Sequence, residues 1–555
     1  MLRFCAICLD LESGDRLCLQ ALFITNPAAD KLRIESSKGP LLENATRWIL
    51  DTAEFQAWRD PGNATSLLWI YGGPGTGKTM LLCGILNELR KQEAAAGNNL
   101  AFFFCERGNE RSSGAEAVLR GLLFMLATDP RRRSVVKLIR EKYDDAGPAM
   151  FDGPSAWWAL CDILARALRE VDQSRKGGQG VVYLVIDALD ECEVRLEYLL
   201  ELMAETASGA GGRVKWLATS RGRESIRRCL RVSRAGPRLG FDLDDHAIEV
   251  SRAVETYIRR CAAELAETER EDDEIYQQIR EGLQKKKVDG AFVHVMLAAR
   301  ELRAVERGKR PEKLNKLAID VKGLYRQAEE RIRDLDETEG VGEFCRRTLS
   351  AVAVARRPLS ELELYALAGL DSLEIGQVKT VTDLCRSFFV IGEGRAIWVH
   401  ESAREYFQQD SLLFAAGLKT EHHRLFVACL RVMEKLLRRG TYNLSQPDRR
   451  TNLQQLAAAE YASGTWIQHL VAGGQHDYET RDDGVLSGFL KTGFLSWLEY
   501  LAVAGNMREV LSSWAKLVRF LEVNVKRTPF LRSNKLTLSF CAAARVNREQ
   551  VSWLA

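Results

Sequence analysis

Short apolar runs alternate with longer amphipathic stretches in the part of the chain between about residues 61 and 225. Four of these runs have the composition of buried strands: Leu67–Tyr71, Leu100–Cys105, Val181–Ile186 and Val214–Ala218. The stretches between them have helical periodicity. Apolar strands that alternate with helices are typical of a parallel sheet covered on both faces. The pattern therefore predicts an α/β domain with helices on both faces of a parallel sheet.

The alternation stops after about residue 225, and the chain beyond it is charged and helical. Between residues 356 and 407, two predicted helices are followed by two short strands, Phe388–Ile391 and Ile397–Val399. Helices followed by a hairpin suggest a winged helix. From residue 411 onward the chain is helical again and shows no repeat of fixed length. Its aromatic anchors are Trp466, Trp497 and Trp514.

The loop after the first predicted strand carries the strongest chemical signal in the chain. It reads GGPGTGKT from residue 72 to residue 79, which matches the phosphate-binding motif G-x-x-x-x-G-K-[ST]. Glycines let the backbone curl so that its N–H groups point into one cavity, and the following helix adds the positive end of its dipole. The lysine of this motif binds the β- and γ-phosphates, and the last hydroxyl binds Mg²⁺. The residues predicted to contact a nucleotide are Gly72, Gly73, Pro74, Gly75, Thr76, Gly77, Lys78, Thr79 and Met80.

A second signal lies at the end of the third predicted strand, where the sequence reads VVYLVIDALDEC over residues 181–192. Open α/β sheets bind ligands at the carboxyl ends of their strands, and Mg²⁺ prefers oxygen ligands such as carboxylates. We therefore predict that Asp187 binds Mg²⁺ through a water molecule, beside Thr79. Asp190 and Glu191 are candidates to orient the attacking water. The alternative for these carboxylates is a solvated acidic turn.

A third signal is the sequence Thr219-Ser220-Arg221 at the end of the fourth predicted strand. An arginine at this position can reach a γ-phosphate and report its presence. We therefore predict that Arg221 acts as a phosphate sensor. The alternative is that Arg221 is an ordinary surface charge.

Composition narrows the class of protein. Of the 555 residues, 46% are apolar and 28% are charged, which is usual for soluble globular proteins. The formal net charge is +3, so we expect no nucleic-acid partner. The N-terminus offers only a short apolar stretch, Phe4–Leu9, and we expect neither a secretory signal nor a membrane span. The 13 scattered cysteines fit reduced thiols, which favours a cytoplasmic protein.

Several of these motifs together resemble those of NACHT domains. The sequence IDALDE at 186–191 is similar to the acidic NACHT motif, in which a small residue follows the first Asp and a pair of acids closes the motif. The segments at 30–35, 48–51 and 68–70 resemble those that precede the P-loop in fungal NACHT proteins. Further similar motifs are FFC at 103–105, AVLRGL at 117–122, DGAF at 289–292 and VHESAREY at 399–406. The resemblance covers roughly residues 18–410. It is to the signal-transduction ATPases with numerous domains (STAND), which include relatives of the NOD-like receptors.

The resemblance implies a protein that a bound diphosphate holds closed and a triphosphate opens, after which the protein oligomerises. In such proteins a winged-helix histidine often touches the diphosphate, and His400 is the matching position. A packed histidine at a strand end is the alternative for His400. The implied domains are an N-terminal pre-NACHT helical segment at 1–60, a P-loop NACHT domain at 61–225, a helical lid at 226–320, a winged-helix-like domain at 321–410 and a C-terminal all-α domain at 411–555.

We therefore expect a nucleotide-dependent signalling switch, acting in fungal non-self recognition or programmed cell death. It would bind ATP or GTP with Mg²⁺, hydrolyse it slowly and associate with itself and with protein partners. One alternative is a ring-forming remodelling ATPase, which needs a trans arginine finger and an arginine in the helical lid; Arg227 and Arg228 lie near the lid. The other is a helical interaction scaffold with a vestigial nucleotide site. Fungal proteins of this kind usually also carry effector and repeat domains, which we do not recognise in this sequence.

Overall fold

A computed structural model of the chain describes residues 12–38, 42–96, 98–129, 133–151, 155–173, 180–209, 213–232, 237–268, 270–286, 292–392, 394–437, 453–474, 484–504, 516, 517 and 520. The chain divides into two compact units, unit 1 (Met1–Leu324) and unit 2 (Tyr325–Ala555). Three sequence features lie outside the described residues: the stretch Phe4–Leu9, the DGA part of the motif at 289–291, and Trp514. No helix in the described parts of the chain is both long and apolar enough to cross a membrane.

Unit 1 is built on a five-stranded parallel sheet. Its strands are β1 (Leu67–Tyr71), β2 (Asn99–Phe104), β3 (Val182–Asp187), β4 (Val214–Ser220) and β5 (Arg238–Asp242), in the order β2-β3-β4-β1-β5. The four predicted strands are confirmed, with ends that shift by one or two residues. Because all five strands are parallel, the segments that follow β1, β3 and β4 meet at one edge of the sheet.

The expectation that the alternation stops near residue 225 is wrong, because β5 continues the sheet beyond that point. This strand pairs with β1 at the edge of the sheet, with Leu67 opposite Arg238 and Tyr71 opposite Asp242. Along β5, buried Leu239 and Phe241 alternate with half-buried residues. The half-buried positions of β5 are Arg238, Gly240 and Asp242, so its sequence lacks the continuous apolar run by which we recognised the other four. Strand β2, at the opposite edge of the sheet, is buried throughout.

Both faces of the sheet are covered by helices, as predicted. The helices around the sheet are α1 (Ser13–Leu22), α2 (Pro27–Lys38), α3 (Glu43–Thr46), α4 (Ala53–Arg59), α5 (Lys78–Ala96), α6 (Ala115–Ala127), α7 (Arg133–Ala146), α8 (Ala156–Gln173), α9 (Leu196–Gly209) and α10 (Glu224–Leu230). Neighbouring strand residues face opposite sides. Leu68 therefore packs in one core with Leu82 of α5, while Trp69 packs in the other core with Leu119 of α6.

The rest of unit 1 is helical. Its helices are α11 (Ala247–Ala266), α12 (Glu274–Lys285), α13 (Phe292–Arg303), α14 (Arg310–Lys316) and α15 (Val321–Glu339), of which α15 runs on into unit 2. Helix α12 packs against α11 and α14. This helical region begins after β5, whereas the sequence placed the start of a helical lid at residue 226.

Unit 2 contains the predicted hairpin and a helical C-terminal region. Its helices are α16 (Val341–Val354), α17 (Glu361–Ala368), α18 (Ile375–Cys385), α19 (Glu401–Gln409), α20 (Leu418–Leu436), α21 (Leu453–Gly473), α22 (Val485–Thr492) and α23 (Phe494–Ala504). Strands β6 (Phe389–Gly392) and β7 (Arg395–Trp398) form the antiparallel hairpin expected of a winged helix. Trp466 and Trp497 are fully buried anchors whose ring centres lie 5.6 Å apart. The remaining domain boundaries stay predictions.

Candidate functional site

The glycine-rich loop lies between the end of β1 and the start of α5, as the sequence predicts. Gly75 and Gly77 have φ angles of 79° and 86°, in the left-handed region that favours glycine. The Gly77 carbonyl accepts a hydrogen bond of 2.9 Å from the Leu81 N–H, which begins helix α5. The loop therefore curls at the foot of a helix, which is the geometry that an anion site needs.

The Lys78 amino group folds back over this loop. It donates to the carbonyl oxygens of Gly72 (3.0 Å) and Gly73 (2.5 Å) and lies 3.2 Å from the Thr76 hydroxyl. Burial lowers the pKa of Lys78 to about 8, because it disfavours the charged form. A bound phosphate would stabilise that charge.

Asp187 lies at the end of β3, with 3% of its surface exposed. Burial raises the pKa of Asp187, while hydrogen bonds from the hydroxyls of Thr219 and Thr79 lower it. The structure therefore brings together the carboxylate and the hydroxyl that the sequence predicted as Mg²⁺ ligands. Two hard oxygen ligands suit Mg²⁺, which takes its other ligands from water and phosphate. Within the described residues there is no cluster of three or more His, Cys, Asp or Glu that could hold a metal by itself.

Thr219 contributes to the site in a way that the sequence did not reveal. Its hydroxyl donates to Asp187 Oδ1 and accepts a hydrogen bond of 3.0 Å from the Ala188 N–H. Ala188 has a φ angle of 53°, which is uncommon for a residue other than glycine. One hydroxyl from β4 thus fixes both the carboxylate and the backbone that follows it.

The Asp190 carboxylate meets two arginines that follow β4. It is 6% exposed, and its Oδ1 accepts a hydrogen bond of 3.0 Å from the Arg221 N–H. Its Oδ2 lies 3.5 Å from Arg221 Nε and 3.7 Å from Arg223 Nη2. The structure therefore pairs two predicted residues, Asp190 and Arg221, with each other.

Arg107, in the loop after β2, was missed by the sequence analysis. Its side chain donates to the Asp190 carbonyl (2.9 Å), and its backbone N–H donates to Glu191 Oε2 (3.1 Å). It also forms a loose ion pair with Glu193, at 3.8 Å. The turn that carries Asp190 and Glu191 is therefore fastened to the loop after β2 as well as to β4.

Phe292, the first residue of α13, contacts the glycine-rich loop. Its backbone N–H donates to the Gly75 carbonyl at 3.0 Å. A Cβ atom on Gly77 would lie only 2.9 Å from the Phe292 ring, so this position tolerates no side chain without a shift of the ring. The ring of Tyr257, from α11, lies 5.8 Å from that of Phe292. The helical region after the sheet thus touches the loop directly.

The other predicted residues are positioned as follows. Met80 is half-buried in the first turn of α5. His400 belongs to unit 2, where its Nδ1 accepts a hydrogen bond of 3.1 Å from the Ser402 N–H and caps α19. Its role as a contact of a diphosphate stays a prediction. Arg227 donates to the Tyr71 hydroxyl at 2.7 Å and lies over the Tyr71 ring at 4.9 Å, so it is engaged within its own unit.

Comparisons with known proteins agree with the resemblance drawn from the motifs. Residues 44–221 match the family model described as Nephrocystin 3, N-terminal. The chain is 33% identical over 532 residues to the vegetative incompatibility protein HET-E-1 of Podospora anserina. That alignment covers 91% of this chain and 38% of the relative, so the chain spans well under half the length of the curated relative that it matches.

Among solved structures, the chain is similar to the Aeropyrum pernix ORC2 protein, with 14% identity and a TM-score of 0.29 over 58% of this chain and 74% of that chain. It is also similar to Drosophila ORC bound to DNA, with 12% identity and a TM-score of 0.29 over 72% of this chain and 94% of that chain. At such TM-scores neither likeness carries an argument about this chain.

Proposed function

Because the chain belongs to the fungal NACHT-domain proteins of the STAND class, we propose that it is a nucleotide-dependent signalling switch. The switch binds ATP or GTP with Mg²⁺, hydrolyses it slowly and changes its conformation and self-association with the nucleotide. The single observation that supports this best is the grouping of Lys78, Thr79 and Asp187 around a curled loop at one edge of the sheet. The name of the relative, a vegetative incompatibility protein, supports a role in non-self recognition or programmed cell death.

In the proposed bound state the loop holds the phosphates. Its backbone N–H groups and the N-terminus of α5 face the β-phosphate, and the Lys78 amino group moves from the loop carbonyls to the β- and γ-phosphate oxygens. Thr79 would hold Mg²⁺ directly and Asp187 would hold it through water. The metal would neutralise charge on the phosphates.

Slow hydrolysis is assigned to the turn after β3. Both oxygens of Asp190 face donors of Arg221 or Arg223, so Asp190 holds the sensor arginine in position. Glu191 is half-buried, and its Oε2 accepts a hydrogen bond from the Arg107 N–H. We assign the orientation of the attacking water to Glu191 and the recognition of the γ-phosphate to Arg221.

The conformational part of the proposal concerns the nucleotide's effect on the rest of the chain. Phe292 connects the loop to α13, so a rearrangement of the loop on nucleotide binding also displaces the helical region. In the closed, diphosphate-bound state His400 contacts the β-phosphate, and exchange for triphosphate releases it. Self-association and binding of protein partners follow from that release.

Nucleotide titration of the purified chain tests the proposal. We expect folded protein to bind ATP or GTP in the presence of Mg²⁺, and chromatography of nucleotide released on denaturation identifies the base. Lys78→Ala should lower the affinity at least tenfold, because a charge-assisted contact contributes about 1.5–3 kcal/mol. Lys91→Ala is the matched control, since Lys91 lies on the same helix with 64% of its side chain exposed. Folded wild-type protein without affinity for either nucleotide would refute the proposal.

The rate of hydrolysis distinguishes the proposed switch from a rapid ATPase that remodels other proteins. Such an enzyme hydrolyses many nucleotides per minute and accelerates with its substrate, whereas a switch keeps its nucleotide long enough for the state to be read. Arg227, one of the two arginines considered for that alternative, lies in α10 beside the sheet and is held on Tyr71. We therefore favour the switch.

A further inference from the structure

An aromatic cluster of three rings, Trp48, Phe241 and His246, lies at the end of the edge strand β5. The rings of Phe241 and His246 stack, with their centres 4.2 Å apart and an angle of 8° between their planes. The centre of the Trp48 ring lies 5.8 Å from that of His246 and 6.2 Å from that of Phe241. Phe241 is buried, whereas Trp48 and His246 are half-buried. Two of the three rings therefore keep part of their surface exposed.

Trp48 belongs to a segment that packs beside the helix of the phosphate loop. The segment consists of α3 and the 3-10 turn Arg47–Asp51 that follows it. Helix α3 packs against α5, which begins at the loop, and against α11, the first long helix after the sheet. The 3-10 turn also contacts α5, and a Cβ atom on Gly84 of α5 would clash with Thr46. These contacts fix Trp48 next to both helices.

His246 is close to the phosphate loop through the turn after β5. The Leu243 N–H donates to the Tyr71 carbonyl at 2.8 Å, just before the loop begins. A Cβ atom on Gly72 would lie 3.0 Å from Leu243 Cβ. His246 is three residues beyond Leu243, in the 3-10 turn Asp244–His246, and three residues span at most about 11 Å. The α-phosphate and the ribose of a nucleotide together bridge such a distance.

The strand order sets the direction in which a nucleotide lies on the loop. The residues assigned to the metal and to the terminal phosphate, Asp187 and Arg221, are at the ends of β3 and β4, on one side of β1. Strand β5 is on the other side of β1, and the phosphate loop follows β1 itself. A triphosphate whose terminal phosphate lies over β4 therefore has its nucleoside toward β5 and the aromatic cluster.

The charges on the two sides of the loop agree with this direction. After β4, Arg221 and Arg223 face one carboxylate, that of Asp190, which leaves an excess of positive charge. The end of β5 and the turn after it instead carry three carboxylates, those of Asp242, Asp244 and Asp245. Carboxylates repel a polyphosphate and do not repel an uncharged base. The β5 side of the loop thus suits the base better than the phosphates.

We propose that the aromatic cluster binds the purine base of the nucleotide, which stacks against the rings of Trp48 and His246. Every base has a π face, so such rings accept adenine and guanine alike. The His246 ring precedes α11 without capping it, and its position is set by the stacking on Phe241. The proposal deepens the proposed function, on which it rests, because it concerns the nucleoside end of the same ligand.

Three aromatic rings at a sheet edge also stabilise a fold by burying apolar surface. That packing role predicts that removing a ring changes stability, and that it affects all ligands of the loop equally. Binding of the base predicts instead a loss confined to ligands that have a base. Inorganic tripolyphosphate has the phosphates of a nucleotide without the base, so it separates the two roles.

Titration calorimetry in the presence of Mg²⁺ measures the affinities of the wild type, His246→Ala and Trp48→Leu for ATP, GTP and inorganic tripolyphosphate. Each variant should bind the nucleotides about tenfold more weakly, which is the usual effect of losing one base–aromatic stack. The affinity for tripolyphosphate should change less than about twofold. His246→Phe keeps a ring for stacking and should recover most of the nucleotide affinity. Trp158→Leu is the control, since Trp158 lies on α8 with 67% of its surface exposed, and circular dichroism confirms that each variant is folded.

Photolabelling with the 8-azido derivatives of ATP and GTP locates the base directly. The label should appear in the tryptic peptides 48–59 and 239–252, and excess unmodified nucleotide should prevent it. Label confined to other peptides, unchanged nucleotide affinity in the folded variants, or equal losses for nucleotide and tripolyphosphate would overturn the base site and leave the phosphate site intact. Absence of nucleotide binding by the wild type would instead overturn the proposed function itself.

Discussion

Two lysines of the same sheet, Lys78 and Lys215, are alike in their immediate chemistry and lie in different regions. Lys78 follows β1 at the carboxyl edge, whereas Lys215 is the second residue of β4, near the amino edge. Each amino group lies within 3.2 Å of three oxygen atoms, those of the loop at 72–76 for Lys78 and three carbonyls of the turn at 60–65 for Lys215. Burial lowers the pKa of both lysines to about 8.

The two lysines differ in the charges around them. The charges of Asp190 and Asp187 act on Lys78, whereas among the described residues the charge that acts on Lys215 is that of Asp60. Lys215 is fully buried under a turn that its three hydrogen bonds hold closed. Lys78 is half-buried beside two carboxylates and a curled, glycine-rich loop. A buried lysine with a lowered pKa is therefore not by itself a binding residue. Whether it binds a ligand depends on the groups around it.

The largest effect that we expect from this comparison is on stability. Lys215→Met removes the donor of three backbone carbonyls and keeps the bulk of the side chain. Of the three carbonyls, that of Thr65 belongs to a buried residue, whereas Asp60 is exposed and its carbonyl also accepts a hydrogen bond from the Asn63 N–H. A buried carbonyl left without a donor costs about 1–3 kcal/mol, so unfolding should become easier by about that amount. Urea denaturation followed by circular dichroism, without nucleotide, measures the change in unit 1.

Lys78→Met is the matched variant. Lys78 is half-buried whereas Lys215 is fully buried, so water can replace more of the lost donor at Lys78. The free energy of unfolding of Lys78→Met should therefore stay within about 1 kcal/mol of the wild type. If Lys215→Met were as stable as Lys78→Met, the two lysines would not differ in the way that their contacts indicate.

The half of the site that lies close together in sequence was predictable. Gly72 to Thr79 form one continuous motif, and Asp187 follows an apolar strand that was recognised from its own residues. Local sequence sets both features, because a glycine-rich curl and a strand end need no distant partner. The fold was predictable to the same extent: four strands were recognised, and the edge strand β5 was not.

The residues that were missed come from elsewhere in the chain. Thr219 meets Asp187 across 32 positions, and Arg107 meets Glu191 across 84. Their proximity depends on the strand order β2-β3-β4-β1-β5, and no periodicity along the sequence records that order. Hydroxyl and cationic side chains in such segments look like ordinary polar residues.

The next effect concerns the pH dependence of nucleotide binding and the charge of Lys78. In the free protein its pKa is about 8, and a bound phosphate stabilises the ammonium, which raises the pKa in the complex. Binding is therefore strongest below about pH 8 and weakens as the pH rises through that value. Between pH 7 and pH 9 the affinity should fall about tenfold, which titration calorimetry measures directly.

Lys78→Ala is the control for this measurement, because its weaker binding should not vary with pH in the same range. Lys215→Met should keep the pH dependence of the wild type if it remains folded, since Lys215 lies away from the phosphate loop. If the affinity of Lys78→Ala fell equally steeply with pH, another group would be responsible for the titration, and the prediction for Lys78 would be wrong.

The smallest effect concerns Phe292, which extends the comparison from the lysines to their loops. The loop around Lys78 receives a hydrogen bond and a ring contact from α13, so part of its shape depends on the helical region after the sheet. Phe292→Ala removes the ring and keeps the backbone N–H, so bound nucleotide should dissociate about three- to tenfold faster, equivalent to about 0.7–1.4 kcal/mol. Phe292→Leu keeps an apolar side chain against Gly77, so its dissociation rate should lie between those of the wild type and Phe292→Ala. Stopped-flow displacement of a fluorescent nucleotide gives the rates.

If Phe292→Ala released nucleotide at the wild-type rate, the contact would serve only to pack α13, and the coupling between loop and helices would have to run through other residues.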